Sequence, residues 1–197
     1  MICSHKFPPL LEPFFPNIII AKKVIDNYST NSNNVATFFS GGLDAFNTLL
    51  SHLDENPTLI SIWGADIKHN NVDGWKKLYG LIEKSATQFN LNNVVIRSTF
   101  RDFDNEEALD ATFSKQLKDG WWHGVKHSLG LIGHAAPYVY AKGITTLYIA
   151  SSHCPLDEPV RCASHPTIDN LIKFANCSVV HDGYEMSRQD KVNNVVN

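Results

Sequence analysis

Ser40, Gly41, Gly42 and Asp44 are the residues whose types and spacing point most directly to chemistry. Two adjacent glycines let a backbone turn where other residues are strained, and bring it close to a ligand. An anion held there meets the N–H groups of a following helix and the positive end of its dipole. A carboxylate as near as Asp44 is repelled by that anion unless a metal cation lies between them. The stretch therefore reads as a phosphate cradle, with Asp44 as the metal ligand. Arg188 and Lys191, three residues apart on one face of a closing helix, are candidate cations for the phosphate charge.

A second set of candidates lies in the later half. His123 and His127 are four residues apart, share a helix face, and are read as substrate or phosphate contacts; His134 reads as core. They resemble a metal pair, but no glutamate stands between them as in a metalloprotease helix. The connection from His153 to Asn170 carries His153, Cys154, Asp157, Glu158, Arg161, Cys162, Ser164, His165 and Asp169. A polar connection of that length in a compact domain is commonly functional. His165 and Asp169 could orient or deprotonate an attacking group. Cys154 and Cys162 could serve as persulfide carrier and resolving thiol, or be two incidental surface-loop cysteines. A zinc cluster of Cys154, Cys162, Cys177 and His153 is disfavoured by its wide spacing.

These residues need elements to position them. From Val35 onward apolar β-branched runs alternate with helical periodicity. Strands are expected at Val35–Phe39, Thr58–Trp63, Val94–Ser98, Thr145–Ala150 and Ser178–His181. Helices are expected at Leu43–Leu53, Val72–Asn90, Gly120–Lys142 (kinked or split by Pro137) and Ser187–Val196. The acidic Asp102–Asp110 region reads as loop and helix start. Such βα units build a doubly wound parallel sheet, an α/β fold with ligands beyond the carboxyl ends of its strands. Ser40–Asp44, Gly64–Asp66, Ser151–Ser152 and Asp182–Gly183 all follow strands, so they should meet on one rim. Residues 1–34, proline-rich and then polar, read as an N-terminal arm to a single domain over 35–197.

The 197 residues are 43% hydrophobic and 19% charged, with net charge −3. That balance argues against a duplex nucleic-acid or anionic-membrane footprint. No apolar run approaches a bilayer span, no secretory signal is apparent, and no CxxC pair occurs among the four cysteines. A cytoplasmic protein with free thiols is the expectation.

Strand-Ser40-Gly41-Gly42-Leu43-Asp44-helix resembles the PP-loop of the N-type ATP pyrophosphatases, the adenine nucleotide alpha hydrolase-like superfamily. The usual pattern closes SGGxDS or SGGxDT; Ala45 stands here instead, so one phosphate-contacting hydroxyl is missing. Trp122–His127, Tyr148–Ser152, Ser164–Asp169 and His181–Lys191 resemble a less well-defined branch of the same superfamily. The resemblance spans roughly residues 35–197. It implies a five-stranded sheet of order 3-2-1-4-5, with ATP and Mg²⁺ as cofactors. It further implies cleavage of ATP to AMP and pyrophosphate, an oxygen of the substrate being adenylated and then displaced by nitrogen or sulfur. Asp66 would then lie where such enzymes hold adenosine, and Ser152 where nucleotide and substrate meet.

Three functions follow as expectations: an adenylating enzyme of ligase type, a sulfurtransferase working through Cys154 or Cys162, and a nucleotide-binding module without turnover. The acceptor would be small or carrier-borne. A chain with little room for an added domain would take its nucleophile from a partner protein or use a small substrate, and a homo-oligomer is compatible with either.

Overall fold

The computed structural model describes residues 34–157 and 162–196. The arm at 1–34, apart from Asn34, and the loop residues Glu158 and Arg161 lie outside the described residues. The chain from Asn34 forms a mixed α/β layer structure whose sheet is parallel except at one edge.

Strand β1 (Asn34–Phe38) is central because Val35, Ala36, Thr37 and Phe38 are all buried, a run that only a strand covered on both faces can satisfy. It pairs in parallel with β2 (Thr58–Trp63) and with β4 (Ile144–Ala150). Outward from β2 lies β3 (Asn93–Arg97), and outward from β4 lies β6 (Cys177–Asp182), both parallel. The two-residue β5 (Lys173–Phe174) turns back antiparallel on β6. The order is therefore β3-β2-β1-β4-β6-β5, with six strands rather than the expected five of order 3-2-1-4-5. The additional strand is a short hairpin arm turning at Ala175, whose backbone is left-handed (φ 49°). It is too short to show the alternation by which strands are recognised.

Helices α1 (Leu43–Ser51) and α2 (Val72–Phe89) cover one face through Phe39, Ala45, Leu49, Leu59, Trp75 and Ile82. Helix α4 (His127–Ala141) covers the other, setting Ile132, Ala135 and Val139 against Ala36, Ile60 and Leu147. Asn71 caps α2 by accepting from Gly74 N at 3.0 Å. Asn105 does the same for α3 (Glu106–Leu117), which occupies and extends the acidic stretch. Helix α5 (Pro166–Asp169) is one turn, and α6 (Arg188–Val196) closes the chain beside α1, Asn194 donating to Asn47 at 2.9 Å.

The expected long helix over Gly120–Lys142 divides, but not at Pro137. Helix α4 continues through Pro137, and the change comes earlier, where Trp122–Lys126 winds as a π-helical turn. Such turns re-aim side chains relative to an α-helix. The segment is also clamped from outside. Arg101 bonds Glu106 at 2.5 Å and Ala65 O at 3.0 Å and stacks over Trp122, while Lys126 reaches Asp104 at 2.5 Å.

Candidate functional site

Helix α1 begins without a side-chain cap. Gly42 stands at the N-cap position and offers no side chain to bond the first-turn N–H groups. The first-turn N–H groups are therefore not taken up by the protein's own capping chemistry. Gly41 is left-handed (φ 73°), and a Cβ there would come within 2.7 Å of Leu81 Cδ2. Ser40 and Gly42 are exposed beside it. This turn follows the central strand directly.

Asp44, in the first turn, is held by a lysine from the far end of the chain. Lys191 is buried at 3% exposure and donates from Nζ to Asp44 Oδ1 at 3.2 Å and to Ser151 O at 2.5 Å. A buried ammonium so placed offsets the negative charge that made Asp44 anomalous in a phosphate cradle. Arg188, one turn earlier on α6, is exposed.

The ends of β1, β2 and β4 meet at one cavity, while Asp182 turns to Thr48 and His52. A cavity of about 210 Å³ is bordered by Ser40, Asp44, Asp66, His127 and Ser152, with an apolar floor that includes Trp75 and Leu78. A second cavity, about 560 Å³, shares Asp44 and Ser152 and is bordered also by His153, Cys154, Arg188 and Lys191. The two compartments thus adjoin at the end of β1 and β4. Ala45 is buried against the Phe39–Trp75 cluster and faces the first compartment. The rim geometry depends on Gly64 as well. Its φ of 117° is a glycine conformation, and a Cβ would lie 1.8 Å from Ser98 O.

His123 and His127 face different surroundings. Their ring centroids are 6.3 Å apart across the π-helical turn. His127 borders the first cavity, and its Nδ1 is buried without a partner among the described residues. Burial lowers its pKa, against an opposing pull from Asp66. His123 instead faces Asp119, His153 and Cys162: Nδ1 bonds Asp119, and Nε2 lies 3.5 Å from His153 Nε2. A hydrogen bond with Cys162, aided by Asp119 and opposed by burial, raises its pKa to about 9.

Cys154, Cys162 and Cys177, the three cysteines among the described residues, are all buried. Cys154 and Cys162 are thus not surface-loop thiols. Cys177 pairs with Phe174 at the start of β6, the opposite end of that strand from Asp182, where burial pushes its thiol up to about 11. The cluster of Cys154, Cys162, Cys177 and His153 therefore does not form around one point. The metal-capable trio among the described residues is His123, His153 and Cys162.

His165 and Asp169 part company too. His165 caps α5, its Nδ1 accepting from Thr167 N at 3.2 Å. Asp169 is fully buried and accepts from Ser164 Oγ at 2.9 Å and His181 Nδ1 at 2.7 Å. Neither residue borders the two cavities. This Ser164–Asp169–His181 network braces the loop against β6.

No family model matches this chain, and no curated protein does. Its chemistry must be read from the site. Sequence reasoning missed Asp119 and any site role for Trp75 and Leu78, and considered His153 only in a disfavoured zinc cluster with Cys154, Cys162 and Cys177. Of these only Asp119 carried a local signal, its i, i+4 spacing to His123. Among the described residues, no helix is long and apolar enough to cross a membrane.

Proposed function

We propose that the protein cleaves ATP to AMP and pyrophosphate while activating a carbonyl or carboxyl oxygen of a small or carrier-borne substrate. The observation that carries this is the uncapped start of α1 behind Ser40-Gly41-Gly42, opening on the cavity that Asp44 and Ser152 border. The residues fit a nucleotide. The start of α1 lacks a side-chain cap, and the apolar lining at Trp75 and Leu78 suits a flat base. Asp44 would hold Mg²⁺, which when bound neutralises phosphate charge.

The chain's own residues then divide the work. Ser40 and the α1 N-terminus bind phosphate oxygens. Lys191 keeps Asp44 oriented, and Arg188 at the mouth of the second compartment meets leaving pyrophosphate. Asp66 and Ser152 orient nucleotide and acceptor. Neutral His127 offers a hydrogen bond in the first compartment without adding charge. The second compartment has room for the acceptor and for a nucleophile delivered by a partner.

Binding and turnover test the proposal separately. Wild type should bind Mg·ATP and release pyrophosphate across a panel of carboxyl and carbonyl acceptors. Asp44→Asn should lose release by at least about 100-fold with an unchanged circular-dichroism spectrum. Absence of ATP binding at millimolar concentration would refute the reading. Binding without release across the whole panel would favour a non-catalytic nucleotide module, the outcome that buried Ala45 makes worth separating.

A further inference from the structure

We propose that His123, His153 and Cys162 form a binding site for one zinc ion, with no fourth protein ligand among the described residues. One Sγ and two imidazoles, whose ligand atoms all lie within 4.8 Å of one another, match the donor types zinc prefers. The separation of 3.5 Å between His123 Nε2 and His153 Nε2 is close to the roughly 3.3 Å that two nitrogens take on a tetrahedral zinc.

The surroundings have the features of a metal's outer shell. Asp119 bonds His123 Nδ1, which leaves the Nε2 lone pair directed away from the carboxylate once the ring is neutral. Ser164 N donates to Cys162 Sγ at 3.3 Å, a contact that stabilises a thiolate. Hydrogen bonds to backbone carbonyls hold all three ligand segments. Ala163 N donates to His123 O at 2.9 Å, and Ser128 Oγ to Ala163 O at 2.9 Å. Ser151 Oγ donates to His153 O at 2.7 Å. Three protein ligands with the fourth place open is the arrangement of zinc sites that take water or a substrate oxygen. His153 also borders the compartment shared by Asp44, Ser152 and Lys191, so the ion would sit beside that space. On binding, the proton held between Cys162 and His123 leaves to solvent and a thiolate–zinc bond forms. No electron transfer is involved. Zinc there and a persulfide on Cys162 exclude each other.

The inference stands apart from the nucleotide reading, because zinc binding is measured without ATP. The full chain, stripped with chelator, is titrated with Zn²⁺ against a chromophoric competitor and separately with Co²⁺ by absorption spectroscopy. Expected are one ion per chain and a thiolate-to-cobalt charge-transfer band. Cys162→Ser should abolish the band, His153→Gln should weaken zinc binding at least about 100-fold, and Asp119→Asn should weaken it about 10- to 100-fold. Cys177→Ser should leave band and affinity unchanged. Should Cys162→Ser fail to fold, the wild-type cobalt spectrum and the Asp119→Asn titration still decide. A wild type without the charge-transfer band, or His153→Gln and Asp119→Asn variants that bind as tightly as wild type, would overturn the site. Cys162 alkylation with no metal bound at any concentration tested would do so too, and would mark a thiolate–imidazolium pair instead.

Discussion

The cradle at Ser40–Asp44 and the corner at His123, His153 and Cys162 stand at the same rim but are built by opposite means. The proposed cradle is contiguous chain: its donors would be backbone N–H groups, and its shape comes from glycine torsions and the start of one helix. The corner is assembled from a π-helical turn and two separate loop positions, and its donors are side chains. A backbone device is written within a few residues and tolerates no added atoms. A side-chain device tolerates substitution of its surroundings but depends on long-range packing for every distance. The difference also explains Asp44 and Lys191, where the two strategies meet. A local carboxylate there is balanced by an ammonium 147 residues later in the chain.

The largest expected effect tests the claim that the rim is a backbone construction. Gly64→Ala would force a Cβ to within 1.8 Å of Ser98 O at a φ of 117°, against backbone that has no rotamer to change. It should cost more than about 3 kcal/mol or prevent folding, read by urea unfolding. A loss below about 1 kcal/mol would mean that the β2–β3 rim yields. The corner should answer differently, its cysteine substitution changing metal binding far more than apo stability.

Lys191→Met probes the joint between local and assembled parts. It leaves Asp44 unpaired and Ser151 O without its donor, so a loss of about 1–3 kcal/mol is expected, with the lower end favoured because Asp44 is 24% exposed. ATP affinity should fall with it. Unchanged unfolding would show that Lys191 is incidental to the cradle.

The smallest effect is a pH dependence at the far end of α1. His52 bonds Asp182 at 3.0 Å and Glu55 at 2.7 Å and stacks on Tyr148. Burial opposes protonation there, but the two carboxylates outweigh it and raise the pKa above 6.5. The contribution of His52 is thus fully present below pH 6.5 and is lost as pH rises through the folded value. The stability gap between wild type and His52→Asn should be larger at pH 6 than at pH 8.5, by less than about 1 kcal/mol after solvent screening. An equal gap at both pH values would remove His52 from the clamp on α1.

Much of the architecture was legible because it is encoded at short range. Continuous apolar runs mark β1, β2 and β4, helical spacing marks α2, and the strand-glycine-helix order marks the turn before α1. The misses share one cause. Strand β5 is too short to show a period, and the i, i+4 spacing of His123 and His127 does not reveal that one borders a cavity while the other faces His153 and Cys162. Asp169 was read with its helical neighbour His165, yet its partner is His181, because β6 brings that ring alongside after a turn no local rule describes.

Sequence alone determined the α/β alternation, the Ser-Gly-Gly turn before α1 and the meeting of the β1, β2 and β4 ends at one rim. These follow from torsional freedom, periodicity and the geometry of parallel crossovers, all properties of neighbouring residues. Tertiary structure decided that Asp44 belongs to Lys191, that Asp169 belongs to His181, and that His123 belongs with His153 and Cys162. Those pairings depend on distances of a few ångströms between segments far apart in the chain. Only the packed sheet, with its layers and register, sets such distances.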